Sequence, residues 1–239
     1  MNAIFGFFAR IIGWVLSALY GVIDNYGISI IVLTLLIRLA MVPLYAKQMK
    51  SSAKMSDAQN KIRDIQTRYA NNREKMNEEM QKLYSEEGIN PTSGCLPLLI
   101  QMPILLGLFQ LLRNPLTYMT GPDMVVAVHE AFLWVKDLCQ PDSWILPILA
   151  GASTYFTFSM MPQQEGAGMG MSNMKYFYPI LIFLIGRSFP AGLALYWAIG
   201  NVFTIGQNFF FNRKKKKEKF RKEAEEEVLK NRKQQKTTE

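Results

Sequence analysis

The sequence predicts an all-α membrane protein: a five-transmembrane-helix bundle with a cytoplasmic antiparallel helical hairpin and an N-terminal interfacial helix. Three observations predict it. The 239 residues separate into strongly apolar and strongly charged blocks, although mean hydropathy is near neutral. The apolar blocks approach the ~20 residues that a bilayer span requires. Lys and Arg are concentrated in alternate connections, which sets orientation by the positive-inside rule.

Residues 1–25 carry Asn2, Gly6, Arg10, Gly13, Ser17, Gly21 and Asp24 at three- and four-residue steps. One polar-or-small stripe, with Phe, Ile, Leu and Trp elsewhere, predicts a helix lying in the outer interface in preference to a further span. The stretch has neither the basic start nor the small-residue cleavage site of a signal peptide.

Residues 26–45 form the first span, and Arg38 lies inside it with no acidic residue in this or any other apolar segment. An ionised guanidinium at membrane depth costs about 2.5–3.5 kcal/mol on insertion scales, so it faces a bundle interior or a wet cavity. Arg38 precedes Lys47 by nine residues, roughly 13 Å at 1.5 Å per residue. Snorkelling does not readily cover that distance. A cavity open to the cytoplasm is therefore expected, with Thr34 one helical turn away on the same face.

Residues 46–93 hold nine basic residues mixed with acidic ones. Ala58, Ile62, Ile65 and Tyr69, then Met76, Met80 and Leu83, recur at steps of four and three around an Ala70–Asn72 break. This predicts two helices in a cytoplasmic hairpin, stopped by Gly88 and Pro91. The second span is placed at 94–113, and an outer loop at 114–143 in which 124–138 is read as another interfacial helix. That loop contains Lys136 beside Asp123, Glu130, Asp137 and Asp142, the acidic bias of an outer segment. The third span is placed at 144–161, a cytoplasmic Met- and Gly-rich loop at 162–175, the fourth span at 176–188 and the fifth at 189–211. A basic cytoplasmic tail follows at 212–239, with twelve Lys and Arg. Arg187, in the outer turn before the fifth span, fits the charge bias least.

Enzyme chemistry is not expected. The chain contains no Gly-x-x-x-x-Gly-Lys phosphate loop and no His-Glu-x-x-His motif. No span holds a carboxylate for a dyad or proton relay, and the single histidine, His129, lies outside the spans. No set of Cys, Asp or Glu is expected to complete a metal site around it, and no cofactor is expected. Cys95 and Cys139 are placed on opposite sides of the membrane, so they cannot pair. What remains is a polar inventory across the spans: Thr34, Arg38, Gln101, Gln110, Ser153, Thr154, Thr157, Asn201, Thr204 and Gln207.

These blocks, in this order, resemble the YidC/Oxa/Alb family of membrane protein insertases. The resemblance is carried by the Arg-bearing first span, NPTSGCLPLLIQMPI at 90–104, SWILPILAG at 143–151 and FPAGLALYWAIGN at 189–201. It implies five core helices around a hydrophilic groove closed outside and open to the cytoplasm and lipid. It also implies a bacterial plasma-membrane location, with the N-terminus outside and the C-terminus cytoplasmic. Arg38 matches the groove arginine, Thr34 its neighbour, and Trp197 after Tyr196 the aromatic position that meets substrates. Gln101, Asn201 and Thr157 complete the expected groove. The implied partners are nascent membrane proteins, the ribosome through the basic tail, the Sec translocon, the signal-recognition machinery and anionic lipids. The chain resembles the short bacterial form without a large periplasmic domain, and it shows Phe158 and Ser159 where some relatives place a groove glutamine. From the residues alone, a small-solute channel or transporter, or a lipid scramblase, remains the alternative.

Overall fold

The computed structural model describes residues 2–90, 96–119, 121, 123–160 and 174–237. Ten helices run through these residues in chain order, and among them no strand forms beyond one Phe132–Val135 bridge. They are α1 (Asn2–Ile23), α2 (Tyr26–Asp57), α3 (Gln59–Arg68), α4 (Arg73–Glu86) and α5 (Leu96–Arg113). After these come α6 (Pro115–Tyr118), α7 (Met124–Ala127), α8 (Ile145–Met160), α9 (Met174–Gly186) and α10 (Ala191–Thr237).

Two packed groups meet along one seam. In the first, α1 lies against α5 and α2; in the second, α8 lies between α9 and α10; α10 joins the two by packing on α2. The common core contains Tyr26, Ile30, Leu33, Leu108, Leu111, Leu112 and the Ala191–Tyr196 stretch. Around it, Phe7, Trp14, Leu36, Leu39, Ile148, Phe156, Phe177, Ile180, Val202 and Phe209 point outward. Bulky apolar side chains on the outer faces of five helices are the pattern of a bundle solvated by lipid. Phe5–Ile23 and Tyr26–Asp57 are each long and apolar enough to cross a bilayer, while the apolar parts of α8 and α9 are shorter.

The small residues of α1 have a packing role. A β-carbon on Gly13 would meet Leu111 Cδ1 at 2.9 Å, and one on Gly107 would meet Phe8 Cβ at 2.9 Å. Mutual glycines let α1 and α5 approach closely, as small residues do at membrane helix contacts. Arg10 and Gly21, from the same predicted stripe, are exposed. The stripe is thus divided between a helix contact and the outer surface.

Between α2 and α5 the chain folds as two helices broken at Tyr69–Asn72. Asn72 caps α4 by accepting from the Lys75 N–H, the usual service of an N-cap asparagine. Met55, Ala58, Ile62, Leu83 and Ile89 form a separate small core between these helices. α10 is longer than expected, since it continues without interruption through the tail to Thr237.

The 124–138 segment differs from expectation. Only Met124–Ala127 is helical; turns and a tight Phe132–Val135 bridge follow, with Leu133 at positive φ. The competing forces are local and visible. Glu130 is held by the Tyr20 hydroxyl and by the Tyr26 N–H at 2.9 Å, and Val128, Val135 and Leu138 bury into the core from a non-helical path. The Leu138 and Gln140 carbonyls then accept from Gly192 and Ala191, each at 2.9 Å, which binds the loop to the start of α10. Arg187 lies over the Trp144 ring at 4.3 Å, a cation–π contact that explains a basic residue in this otherwise acidic region. Cys95 and most of the Met-rich 162–175 loop lie outside the described residues.

Candidate functional site

Three helices share one polarity gradient. Along α2, buried residues pass from Tyr26, Ser29, Ile30 and Leu33 to Thr34 and Gln48, with the part-buried Arg38 between them. Along α10 they pass from Ala191, Leu193 and Leu195 to Asn201, Thr204 and Asn208. α5 runs the other way in space, from Gln101 to Leu108, Leu111 and Leu112. The loop-covered end of the bundle is therefore mostly apolar, with Ser29 bonded to the Asn25 carbonyl of its own helix, and the opposite half is richer in polar residues. Buried polar groups are expensive in an apolar surround unless they are satisfied, so their concentration toward one end sets that half of the interior apart.

Arg38 is largely buried, and among the described residues its Nε has no hydrogen-bond partner. Its guanidinium lies against the α10 backbone at Gly200, and Tyr45 and Tyr196 are within electrostatic reach of it. Pro43 lies one turn further along α2 and removes the N–H that would otherwise bond the Leu39 carbonyl. Beyond it, Tyr45 donates to Asn208 Oδ1 at 2.6 Å, while Asn208 Nδ2 and Gln207 Nε2 are buried without partners among the described residues. Arg38 Nε, Asn208 Nδ2 and Gln207 Nε2 are all donors. Among the described residues no acidic side chain acts on Arg38, and the groups that would satisfy these donors are acceptors: water, carbonyl oxygen or carboxylate.

The expected groove residues fall into two groups. Gln101 donates to the Tyr196 hydroxyl at 2.9 Å, linking α5 to α10 on the Arg38 side. Trp197 and Asn201 face α8 instead. Trp197 Nε1 donates to Thr154 Oγ1 at 2.9 Å, and the Asn201 amide stands 2.8 Å from Thr154 Oγ1 and 3.1 Å from Ser153 Oγ. With its oxygen on that side, Asn201 accepts from both hydroxyls and from Trp197 Nε1. Thr34 and Thr157 are buried, but their hydroxyls bond the Ile30 and Ser153 carbonyls of their own helices. They line the polar half without reaching across it.

Gly200, Tyr45 and Asn208 were not singled out from the sequence. Asn208 was within reach, because Trp197, Asn201, Thr204 and Asn208 step by four, three and four along one helix face. Gly200 gave no such signal, since its role depends on where Arg38 lies.

Around His129, where no set of metal ligands was expected, the structure places two further groups of ligand type. The non-helical path of 128–140 brings His129, Asp137 and Cys139 together, with ligand atoms within 4.8 Å of one another.

Comparison with known proteins gives a consistent result. The family model of the 60Kd inner membrane protein matches residues 18–219. A membrane protein insertase YidC of Clostridium perfringens is 42% identical over 212 residues, covering 85% of each chain. The insertase YidC 2 of Listeria innocua is 41% identical and is covered over 69% of its length. The YidC of Fusobacterium nucleatum is 34% identical, covering 88% of this chain and 97% of its own. An active YidC insertase crystal structure, with its first transmembrane domain resolved, superposes with a TM-score of 0.65 at 26% identity. That match covers 87% of this chain, which spans about half (46%) of the solved one.

Proposed function

The chain belongs to the 60Kd inner membrane protein family, and we propose that, like the insertases it resembles, it moves apolar segments of new proteins into the bilayer. The observation that carries this reading is the one-ended polar interior with Arg38 inside it. A helix α2, α5 or α10 made only to span lipid has no use for a polar half, and a sealed core has no use for unpaired donors.

In this reading α2, α5, α8, α9 and α10 are the five spans, α3 and α4 form a cytoplasmic hairpin, and the 114–143 loop closes the outer side. The N-terminus is outside and the C-terminus cytoplasmic, in a bacterial plasma membrane. A substrate's polar outer tail enters the wet half from the cytoplasm, where its acceptors meet Arg38 and the donors near Asn208. Its apolar segment meanwhile rests on Leu36 and Leu39 of α2 and Val202 and Phe209 of α10, all exposed. Release into lipid is driven by burial of apolar surface, at about 25 cal/mol per Å². No bond is made or broken, so the reading assigns no enzymatic step, nucleotide or cofactor. The basic tail presents the charge to which a ribosome or anionic lipid responds, and a Sec translocon is a second source of substrate.

Proteoliposomes containing this protein alone test the reading. A single-span substrate with an acidic tail inserts, and Arg38→Ala lowers the yield at least about tenfold, as expected for loss of one charged hydrogen-bonding partner worth about 1.5–3 kcal/mol. Unchanged insertion in Arg38→Ala, or solute flux or lipid flip-flop in place of insertion, overturns it.

A further inference from the structure

We propose that His129, Asp137 and Cys139 form a binding site for a borderline-soft divalent metal ion of the Zn²⁺ class, on the loop that covers the apolar end of the bundle. His129 Nδ1 stands 2.9 Å from Asp137 Oδ2, and Cys139 Sγ completes a set whose ligand atoms lie within 4.8 Å of one another. Ligands of a tetrahedral zinc ion at 2.0–2.3 Å are separated by about 3.5 Å. With His129 and Asp137 already 2.9 Å apart, the gaps that close are those to Cys139 Sγ, by no more than about 1.3 Å.

The set is held from behind. Asp137 Oδ1 accepts the Cys139 N–H at 2.8 Å, which leaves Oδ2 aimed at His129. The Phe132–Val135 bridge folds residue 129 back over residue 137. On the other flank, the Leu138 and Gln140 carbonyls are bonded to the first turn of α10. Outer-shell bonds of this kind fix ligand orientation in metal sites. The Cys139 thiol lies near the Leu112 carbonyl, so the site bridges the loop and the end of α5.

The donor set selects the ion. Imidazole nitrogen with thiolate sulfur favours zinc and its neighbours over magnesium or calcium, which take oxygen ligands. Three protein ligands leave a fourth position on the solvent side, where His129 is exposed. Thiolate and carboxylate together neutralise the dication. The free thiol keeps the proton that it donates to the Leu112 carbonyl at 3.5 Å. Binding exchanges that proton for the metal: the S–H bond breaks, the S–metal bond forms, and one proton leaves to solvent. Affinity therefore rises with pH.

The test uses the 239-residue, tag-free chain in nanodiscs with Cys95→Ser, so that Cys139 is its one thiol. Zn²⁺ is expected to remain bound at one equivalent per chain after gel filtration, and Co²⁺ to give the charge-transfer absorption of a cobalt–thiolate bond. Cys139→Ser abolishes that absorption, and His129→Ala or Asp137→Asn weakens binding at least tenfold. Should a variant unfold, alkylation decides on the parent: Zn²⁺ slows modification of Cys139, and a chelator restores it. Absence of retained metal, binding equal in all variants, or alkylation unaffected by Zn²⁺ overturns the proposal.

Discussion

The Arg38 guanidinium rests on the backbone of Gly200, so closely that a β-carbon there would stand 2.8 Å from Nε and 3.0 Å from Cζ. The charge of α2 is thus seated on a helix contributed 162 residues later, through an atom that Gly200 lacks. Gly200→Ala is expected to push Arg38 from this seat at a cost of about 1–3 kcal/mol, the usual range for overpacking. Insertion of acidic-tailed substrates should fall with it. Combining it with Arg38→Lys, whose slim ammonium needs no flat seat, should remove most of the added defect. Thermal unfolding and insertion assays on the four chains check this; equal defects of Gly200→Ala in both backgrounds would show that no such seat exists.

The bonds joining Trp197 and Asn201 to Thr154 connect α10 to α8. Thr154→Val keeps the shape and removes the hydroxyl. Membrane hydrogen bonds average about 0.6 kcal/mol in double-mutant cycles. A loss of about 1 kcal/mol is expected because two partners are freed together. A cycle with Asn201→Ala measures the coupling, and strictly additive losses contradict the shared network.

Glu130 acts at a distance in sequence. Its carboxylate accepts the Tyr26 N–H at the first turn of α2, where a negative charge is favoured, and also holds the Tyr20 hydroxyl. Glu130→Ala should destabilise by about 2–3 kcal/mol, since bonds to a charged group are worth about 1.5–3 kcal/mol. Faster amide exchange at 24–28 and 130–135 would accompany it. Exchange confined to residues near 130 argues against a latch.

Cys139 gives a pH-dependent readout. With its thiol pushed up to about 11, the reactive thiolate is scarce at neutral pH. Alkylation of metal-free protein is expected to stay slow at pH 7 and to accelerate until pH approaches about 11. A plateau below pH 9 rejects the buried placement.

Much of the fold was legible because membrane and hairpin physics write themselves into composition. The apolar runs that became α2, α5, α8 and α9 follow from length, and the Ala70–Asn72 break follows from the stepping of apolar residues on either side of it. Arg38 was legible as an anomaly, a charge without a partner in lipid. The 124–138 segment was not. Its apolar residues recur as a helix requires, but Glu130 is recruited by α2 and Leu133 occupies the left-handed region at φ 55°, neither of which periodicity records. The meeting of His129, Asp137 and Cys139 is a product of that same unpredicted turn. Gly200 was silent because a glycine's meaning lies in what approaches it.

The uninterrupted α10 has a mechanical consequence. Its 47 residues make a rod of roughly 70 Å, anchored at one end where Ala191 and Gly192 bond the Gln140 and Leu138 carbonyls. Asn208 lies about 26 Å along it, so a tilt of about 5° moves Asn208 by about 2 Å and Thr237 by about 6 Å. The near part of the rod is also held from the side, by the Trp197 and Asn201 bonds to Thr154 of α8 and by the Tyr45 bond to Asn208. A load on the far end therefore meets the 2.6 Å Tyr45–Asn208 bond before it reaches the loop.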